Sequence, residues 1–414
     1  MKLNDEEQAM QAGEFGPLRQ WAIEHQIKVG RYLGADDFVP VGQAHIMADT
    51  ESLGAAGVEW LEHWAKLPRE ERQVRIPTIT DPRGTDFTNA VRLKQQQWML
   101  DLERRAITAF EALGVLMTDT CINYQTIMPP VRGEHMAYGD TGVVIYSNSV
   151  CGARSNFEGG PSALSAGLTG RTPRYGFHLD EHRQATFVVE LSYTPHELAD
   201  WGALGGIVGK LAGDYSQVPA VVGLDRVPHS DEMKHFGAAL ASFGSVALFH
   251  MAGVTPEAMR IDDVMPAGVT LRSHEIGEAD IRALQAQYTK DIGAVDVVVF
   301  SAPQLSLMEL QTLADMLDGR HAEIPLLAVT SPQVKPDADR MGLTARIEAA
   351  GGAVLSGMCF YQSYAREIAE ANKWRRLATN SAKLTNILGG YGYQPILLSM
   401  EQCVAAACAG GQLR

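Results

Sequence analysis

The sequence predicts an α/β fold with more than one domain, and three observations carry that prediction. From about residue 245, short apolar runs alternate with segments of helical character, the pattern of βαβ units built around a parallel sheet. A length of 414 residues exceeds what one hydrophobic core serves, which calls for two or three domains with room for a cleft. The composition, 46% hydrophobic and 20% charged with 40 glycines, is that of an ordered globular chain with many tight turns.

Taken in order, residues 5–29, 51–66 and 90–113 read as helices, with extended segments at 74–80, 114–120, 141–149 and 185–193 between and after them. SVALFHMAG at 245–253 reads as a strand and turn, and Thr255 with Pro256 as a helix start. DVVVF at 296–300 is a strand, and Ser306 with Glu309 forms a capping box for the helix that follows. IPLLAVTS at 324–331, GGAVLSGM at 351–358, RRLATN at 375–380 and QPILLSM at 394–400 continue the series. The change in regularity places a mixed α/β domain over 1–225 and a parallel-sheet domain over 226–414.

A formal net charge of -14 argues against nucleic acid or an anionic membrane as partner, and leaves a small-molecule substrate open. The start, MKLNDEEQAM, is acidic where a secretory signal needs cations, and no run reaches the length of a membrane span. A cytoplasmic location follows. Five cysteines without tight spacing are expected to be free, catalytic or metal-bound in that reducing compartment. Cys403 and Cys408 lie in an alanine-rich helix ending at Gly410 and read as packing residues.

The other three cysteines each follow an apolar run that reads as a strand: GVLMTDT before Cys121, TGVVIYSNS before Cys151 and GGAVLSGM before Cys359. In open α/β sheets, ligands bind outside the carboxyl ends of the strands. Three thiols there point to a metal centre, although a free cysteine is more commonly a small buried hydrophobe. SNSVCGARSNFEGGPSALSAGLTGRTPRYGFH, at 147–178, joins thiol, hydroxyl, amide and guanidinium groups to glycines. Arg154 and Arg171 suit a carboxylate or phosphate, with Ser155 and Asn156 as further donors. TNSAKL at 379–384 offers Ser381 and Lys383 near a helix start, and VPVGQAHI at 39–46 presents His45. A structural histidine, surface arginines and a solvated lysine are the competing readings.

The runs SNSVCGARSNFEGGPSALSAGLTGRTPRYGFH, SAPQLSLMEL and TNSAKL resemble the large subunit of the aconitase X family, a branch of the aconitase superfamily. The resemblance implies an aconitase-like multi-domain fold, with parallel or mixed sheets flanked by helices and an active-site cleft between domains. It implies a hydro-lyase acting on a hydroxylated carboxylic acid, with a 2Fe–2S or 4Fe–4S cluster or a single iron held by Cys121, Cys151 and Cys359. On this reading Cys151→Ser abolishes iron binding. Lys383, Ser381 and His45 become the catalytic candidates; Arg154, Ser155, Asn156, Arg171, His45 and Lys383 become the substrate-binding ones. A small swivelling subunit closes the cleft and carries a serine base. Two substrates occur in the family, cis-3-hydroxy-L-proline and mevalonate 5-phosphate. Ala302 and Gln304 stand where the archaeal type carries a cysteine and a histidine, and Cys151 where it carries an apolar residue, so the pattern favours hydroxyproline. A non-catalytic iron–sulfur regulator and a metal-free α/β enzyme are the readings from other classes.

Overall fold

The structure, a computed structural model, describes residues 1–289 and 293–413. The segment read as one helix over 5–29 is two, Asp5–Gln11 and Pro17–Tyr32. Gly13 and Gly16 break it with φ of 83° and 91°, and Pro17 opens the second helix at its first position. The first domain's strands are β1 (Phe38–Pro40), β2 (Ala44–Ile46), β3 (Thr78–Thr80), β4 (Ala137–Tyr138) and β5 (Arg171–Pro173). β1 pairs antiparallel with β5, while β3-β2-β4 form a small parallel sheet. Helices Thr50–Trp64, Gln97–Ala112 and Gly159–Thr169 bury Leu61, Phe110 and Leu164 against Ile46 of β2. The expected strand 114–120 makes only one bridge, Leu116 to Ile79, and otherwise runs as irregular chain.

The largest departure is at 141–149, which is a helix, Thr141–Ser149, and not a strand. Every residue from Gly142 to Ser149 is buried, so the segment has no polar face, and an apolar run without a period reads equally as strand or buried helix. Asp140 decides it: its carboxylate accepts the Val143 N–H at 2.9 Å and caps the helix.

The second domain has β6 (Phe187–Leu191), β7 (Pro219–Val222), β8 (His250–Met251) and β9 (Ser273–Ile276), parallel in the order β8-β7-β6-β9. Helices Leu198–Ala212 and Ser230–Gly244 pack tightly on one another, because a Cβ at Gly205 would sit 2.2 Å from the Phe236 carbonyl. Regular alternation thus begins near 187 rather than 245. A boundary at 225 would fall between β7 and β8, inside this one sheet. Only His250–Met251 of the run 245–253 is strand, and Thr255 starts a turn, its hydroxyl accepting the Met251 N–H at 3.0 Å.

The third domain carries β10 (Val297–Leu305), β11 (Leu326–Thr330), β12 (Ala353–Ser356), β13 (Arg376–Thr379) and β14 (Gln394–Leu397), all parallel in the order β12-β11-β10-β13-β14. The Ser306–Glu309 capping box opens helix Leu307–Met316 as the spacing predicts, and helix Met400–Cys408 buries Cys403. Among the described residues no helix is long and apolar enough to cross a membrane.

Glu103, on the helix Gln97–Ala112, is buried and accepts from Thr50 Oγ1 at 2.9 Å and Gly84 N at 3.1 Å. Burial pushes its carboxyl from 4.5 up to about 8. Its folded value therefore lies above its unfolded one, so its contribution is fully present below the ordinary glutamate range and is lost as pH rises through about 8. Glu103→Gln, which keeps the acceptor oxygen, is expected to flatten the fall in stability across that window by on the order of 4 kcal/mol. Urea unfolding of both proteins at pH 5.5 and 8.5 checks this; parallel curves would contradict it.

Candidate active site

The carboxyl ends of two parallel sheets meet at one junction, the position where such sheets bind ligands. From the first domain come His45 in β2, Asp81 directly after β3 and Asp140 two residues after β4. Cys121 lies on the irregular chain beside them. From the third come Gln304 in β10, Cys359 three residues past β12, and Lys383 in the first turn after β13. Arg83 and Met358 form an isolated parallel bridge across the junction, with Arg83 N donating to Gly357 O at 3.0 Å.

Four ionisable groups here are buried: His45, Asp81, Asp140 and Lys383. His45 Nε2 lies 2.9 Å from the Thr120 carbonyl, which can only accept, so the ring proton sits on Nε2. Nδ1 then presents a lone pair without a partner. Burial lowers the affinity of this ring for a second proton. Lys383 Nζ is 3.4 Å from Asp140 Oδ1 and stands 5.5 Å over the Tyr361 ring. Burial works against the ammonium charge, but the charge of Asp140 leads the acidic groups that outweigh it and hold Lys383 charged. Asp140 is held below the carboxylate range, because Lys383 and its amide donors overcome the effect of burial. Asp81 goes the other way, raised well above that range by burial and by the charge of Asp140. Its Oδ1 has no hydrogen-bond partner. The environments of the two aspartates thus push their proton affinities in opposite directions, the arrangement from which acid and base roles are assigned.

Cys121 and Cys359 are both buried here, and the charges of both reach Lys383 and Tyr361. Burial raises Cys121 far above the usual thiol value and pushes Cys359 up to about 12, so without a metal both stay protonated. Two soft donors flanked by an unpartnered imidazole nitrogen and an unpartnered carboxyl oxygen fit a thiophilic metal centre at two positions. No set of three or more His, Cys, Asp or Glu side chains with metal-binding geometry occurs among the described residues.

Family profiles for the aconitase X first, second and third domains match residues 1–181, 185–286 and 295–409. The chain belongs to the aconitase X family. As aconitase X it is a dehydratase, a carbon–oxygen lyase. It is 32% identical over 411 residues to the phosphomevalonate dehydratase large subunit of Thermococcus kodakarensis, covering 98% of this chain and 100% of that one. With the phosphomevalonate dehydratase large subunit of Methanothermobacter thermautotrophicus it shares 34% over 392 residues, 94% of each chain. With the cis-3-hydroxy-L-proline dehydratase of Pseudomonas aeruginosa it shares 30% over 423 residues, 99% of this chain and 70% of that one. The crystal structure of Thermococcus kodakaraensis aconitase X in its holo-form superposes with a TM-score of 0.88 at 30% identity, over 98% of this chain and 100% of that one.

Not every residue expected at the aconitase X site is there. Cys151 is not brought to the other two thiols, because the segment before it is a helix. Asp140 caps the near end of that helix, and Cys151 follows its far end, about 15 Å away at 1.5 Å per residue. The effect of Cys121 reaches Tyr124 and that of Cys151 reaches Tyr146, and these two rings stack at 3.9 Å. Burial alone pushes Cys151 up to about 11. The loss of iron expected for Cys151→Ser is accordingly revised. The variant is expected to keep the metal affinity of the Cys121–Cys359 pair within about twofold, measured by cadmium titration of the metal-free chain; a loss beyond tenfold would restore Cys151 as a ligand.

Ser381 is a helix cap: its hydroxyl donates to Ala302 O at 2.6 Å and accepts from Leu384 N at 3.1 Å, so its proton and one of its two lone pairs are spent on the backbone. Ser155 Oγ accepts from Tyr138 N at 3.0 Å and donates to Asn156 O at 2.8 Å. The Asn156 amide is spent on Tyr175 O, Phe177 N and the Tyr215 hydroxyl. Both are buried scaffold residues. Arg171 ties the sheet β1–β5 to the first helix through Glu6 at 2.5 Å and Glu7 at 2.8 Å. Arg154 pairs with Asp180 and donates to His178 O at 3.0 Å, in a separate cleft with Arg132 and Arg183. The glycine-rich polar sequence forms a tightly hydrogen-bonded loop here.

Asp81 and Asp140 were not picked out in the sequence, and Gln304 was named only for standing where the archaeal type carries a histidine. For the two aspartates a signal exists, a carboxylate just past an apolar strand run in TITD and AYGD. For the contacts of Gln304 there is none: it is the penultimate residue of β10, and nothing local in VVVFSAPQL marks its partners.

Proposed function

We propose that this chain is the large subunit of a two-subunit dehydratase whose substrate is mevalonate 5-phosphate. The end-to-end match supports it: both phosphomevalonate dehydratase large subunits are covered over nearly their whole length, whereas the hydroxyproline dehydratase extends well past this chain. The "large subunit" in those names supports a small subunit as partner. This departs from the substrate favoured by Cys151, Ala302 and Gln304.

Dehydration of a β-hydroxy acid needs a base for the proton beside the carboxylate and help for the departing hydroxyl. Cys121 and Cys359 would hold an iron or iron–sulfur centre, which when bound supplies Lewis acidity at the leaving oxygen. Lys383, kept charged by Asp140, anchors the substrate carboxylate. His45 accepts a hydrogen bond at Nδ1, and Asp81 keeps a proton available at the junction. The base, a serine, is supplied by the small subunit when it closes over this edge. The free thiols support a cytoplasmic location.

The second reading, cis-3-hydroxy-L-proline, is favoured by charge. Lys383 and Arg83, the cations at the junction, are already paired with Asp140 and Asp119, which suits a substrate ammonium better than a phosphate. Anaerobic reconstitution with iron and sulfide, followed by assays of both substrates with and without the small subunit, decides. Turnover of mevalonate 5-phosphate that requires the small subunit supports the proposal. Turnover of hydroxyproline alone transfers it to the second reading, and turnover of neither by iron-loaded complex overturns both.

A further inference from the structure

Gln304 touches both cysteine-bearing loops at once. It is fully buried near the end of β10, beyond a break in register with β11 between Phe300 and Leu305. Every one of its polar groups is used. Its backbone N–H points at Cys121 Sγ at 3.5 Å, and its Oε1 accepts the Cys121 N–H at 3.3 Å. Its Nε2 donates to Asp119 O at 3.2 Å, two residues before Cys121, and to Met358 O at 3.2 Å, the residue before Cys359. Its own carbonyl accepts from Lys234 Nζ at 3.1 Å. Lys234 is fixed in turn by Glu309 and, at 3.1 Å, by Asp231.

We propose that Gln304 is a positioning residue that clamps the Cys121 loop to the Cys359 loop and so sets the spacing of the thiol pair for a thiophilic metal ion. The proposal rests on the reading of Cys121 and Cys359 as ligands. An amide suits the task because it donates and accepts from one planar group. Its oxygen holds the first-domain loop while its nitrogen spans to the third domain. A carboxylate could not donate, and an apolar side chain could do neither. The junction thereby becomes a preorganised seat, with separation fixed before metal arrives. Groups that orient ligands in this way are worth about 10–100-fold in metal affinity.

The test uses the full metal-free chain titrated with cadmium, read by thiolate-to-metal charge-transfer absorbance. Cys121→Ser and Cys359→Ser identify the part of the signal that belongs to this pair. Gln304→Met, similar in shape but without hydrogen bonds, is expected to weaken that part about 10–100-fold, with far-ultraviolet dichroism unchanged. Gln304→Asn, one methylene shorter, is read the same way should Gln304→Met fail to fold. Wild-type cadmium affinity in either folded variant, with the signal still lost in Cys121→Ser, overturns the clamp and leaves the ligands standing. Full signal in both Cys→Ser variants overturns the ligand reading, and the clamp with it.

Discussion

Lys383→Met is expected to lower kcat/KM by about a hundred- to a thousand-fold, the scale for removing one preorganised charge from a reaction site. Lys383 is a buried cation whose charge is coupled to both thiols, and Asp140 offsets the effect of burial on it. Loss of the ammonium also strands Asp140 in the interior, at a cost of about 3–5 kcal/mol. The two effects separate in the double variant Lys383→Met/Asp140→Asn. Stability should return, because the amide in place of the Asp140 carboxylate has no charge to compensate and can still accept the Val143 N–H, while activity should not. Steady-state kinetics of the reconstituted complex, alongside denaturant unfolding of both variants, make the comparison. Recovery of activity in the double variant would show that Lys383 serves only to neutralise Asp140.

Lys234→Met is expected to destabilise the chain by about 3–5 kcal/mol, the cost of breaking a buried ion pair from one side. Lys234 is fully buried, bonded to Glu309, Asp231 and the Gln304 carbonyl, and His235 Nε2 is 2.9 Å from the same Glu309. Asp231 is held below the carboxylate range by Lys234 and by hydrogen bonds from Ser306 and Gln125, which outweigh burial. Without Lys234 two buried carboxylates face each other. Lys234→Met should therefore recover stability as pH falls and those carboxyls protonate, while the wild type, whose folded-state values are depressed, loses it. Unfolding in urea at pH 3 and pH 7.5 tests the opposite slopes, because the wild type loses stability only below the ordinary carboxylate range; parallel slopes would mean that water or a neighbour compensates the pair.

The third-domain strands were legible because the central ones, β10 and β11, are buried along their whole length, with Gly351 and Gly352 bounding β12 and the capping box following β10. The same signal misled at 141–149, where burial on all sides erased the period that distinguishes helix from strand. That one error moved Cys151 from the site to the far end of a helix. Cys121 and Cys359 were singled out because thiols are rare and follow apolar runs, although only Cys359 follows a strand. His45 and Lys383 were found by residue type, and both lie at the junction. Ser381, Ser155 and Asn156 were chosen for polarity, and polarity in a buried loop is equally what backbone satisfaction demands. What sequence could not disclose was pairing across domains: nothing near position 304 announces that its side chain answers to residues 119, 121 and 358.

The bridge between Arg83 and Met358 stitches together segments separated by more than half the polypeptide. During synthesis the amino-terminal sheet leaves the ribosome with one cysteine of the pair and must wait for the final quarter to supply the other. On the proposed ligand pair, a fragment ending before β12 would offer a lone sulfur at this junction, and anaerobic iron loading should give it no charge-transfer absorbance.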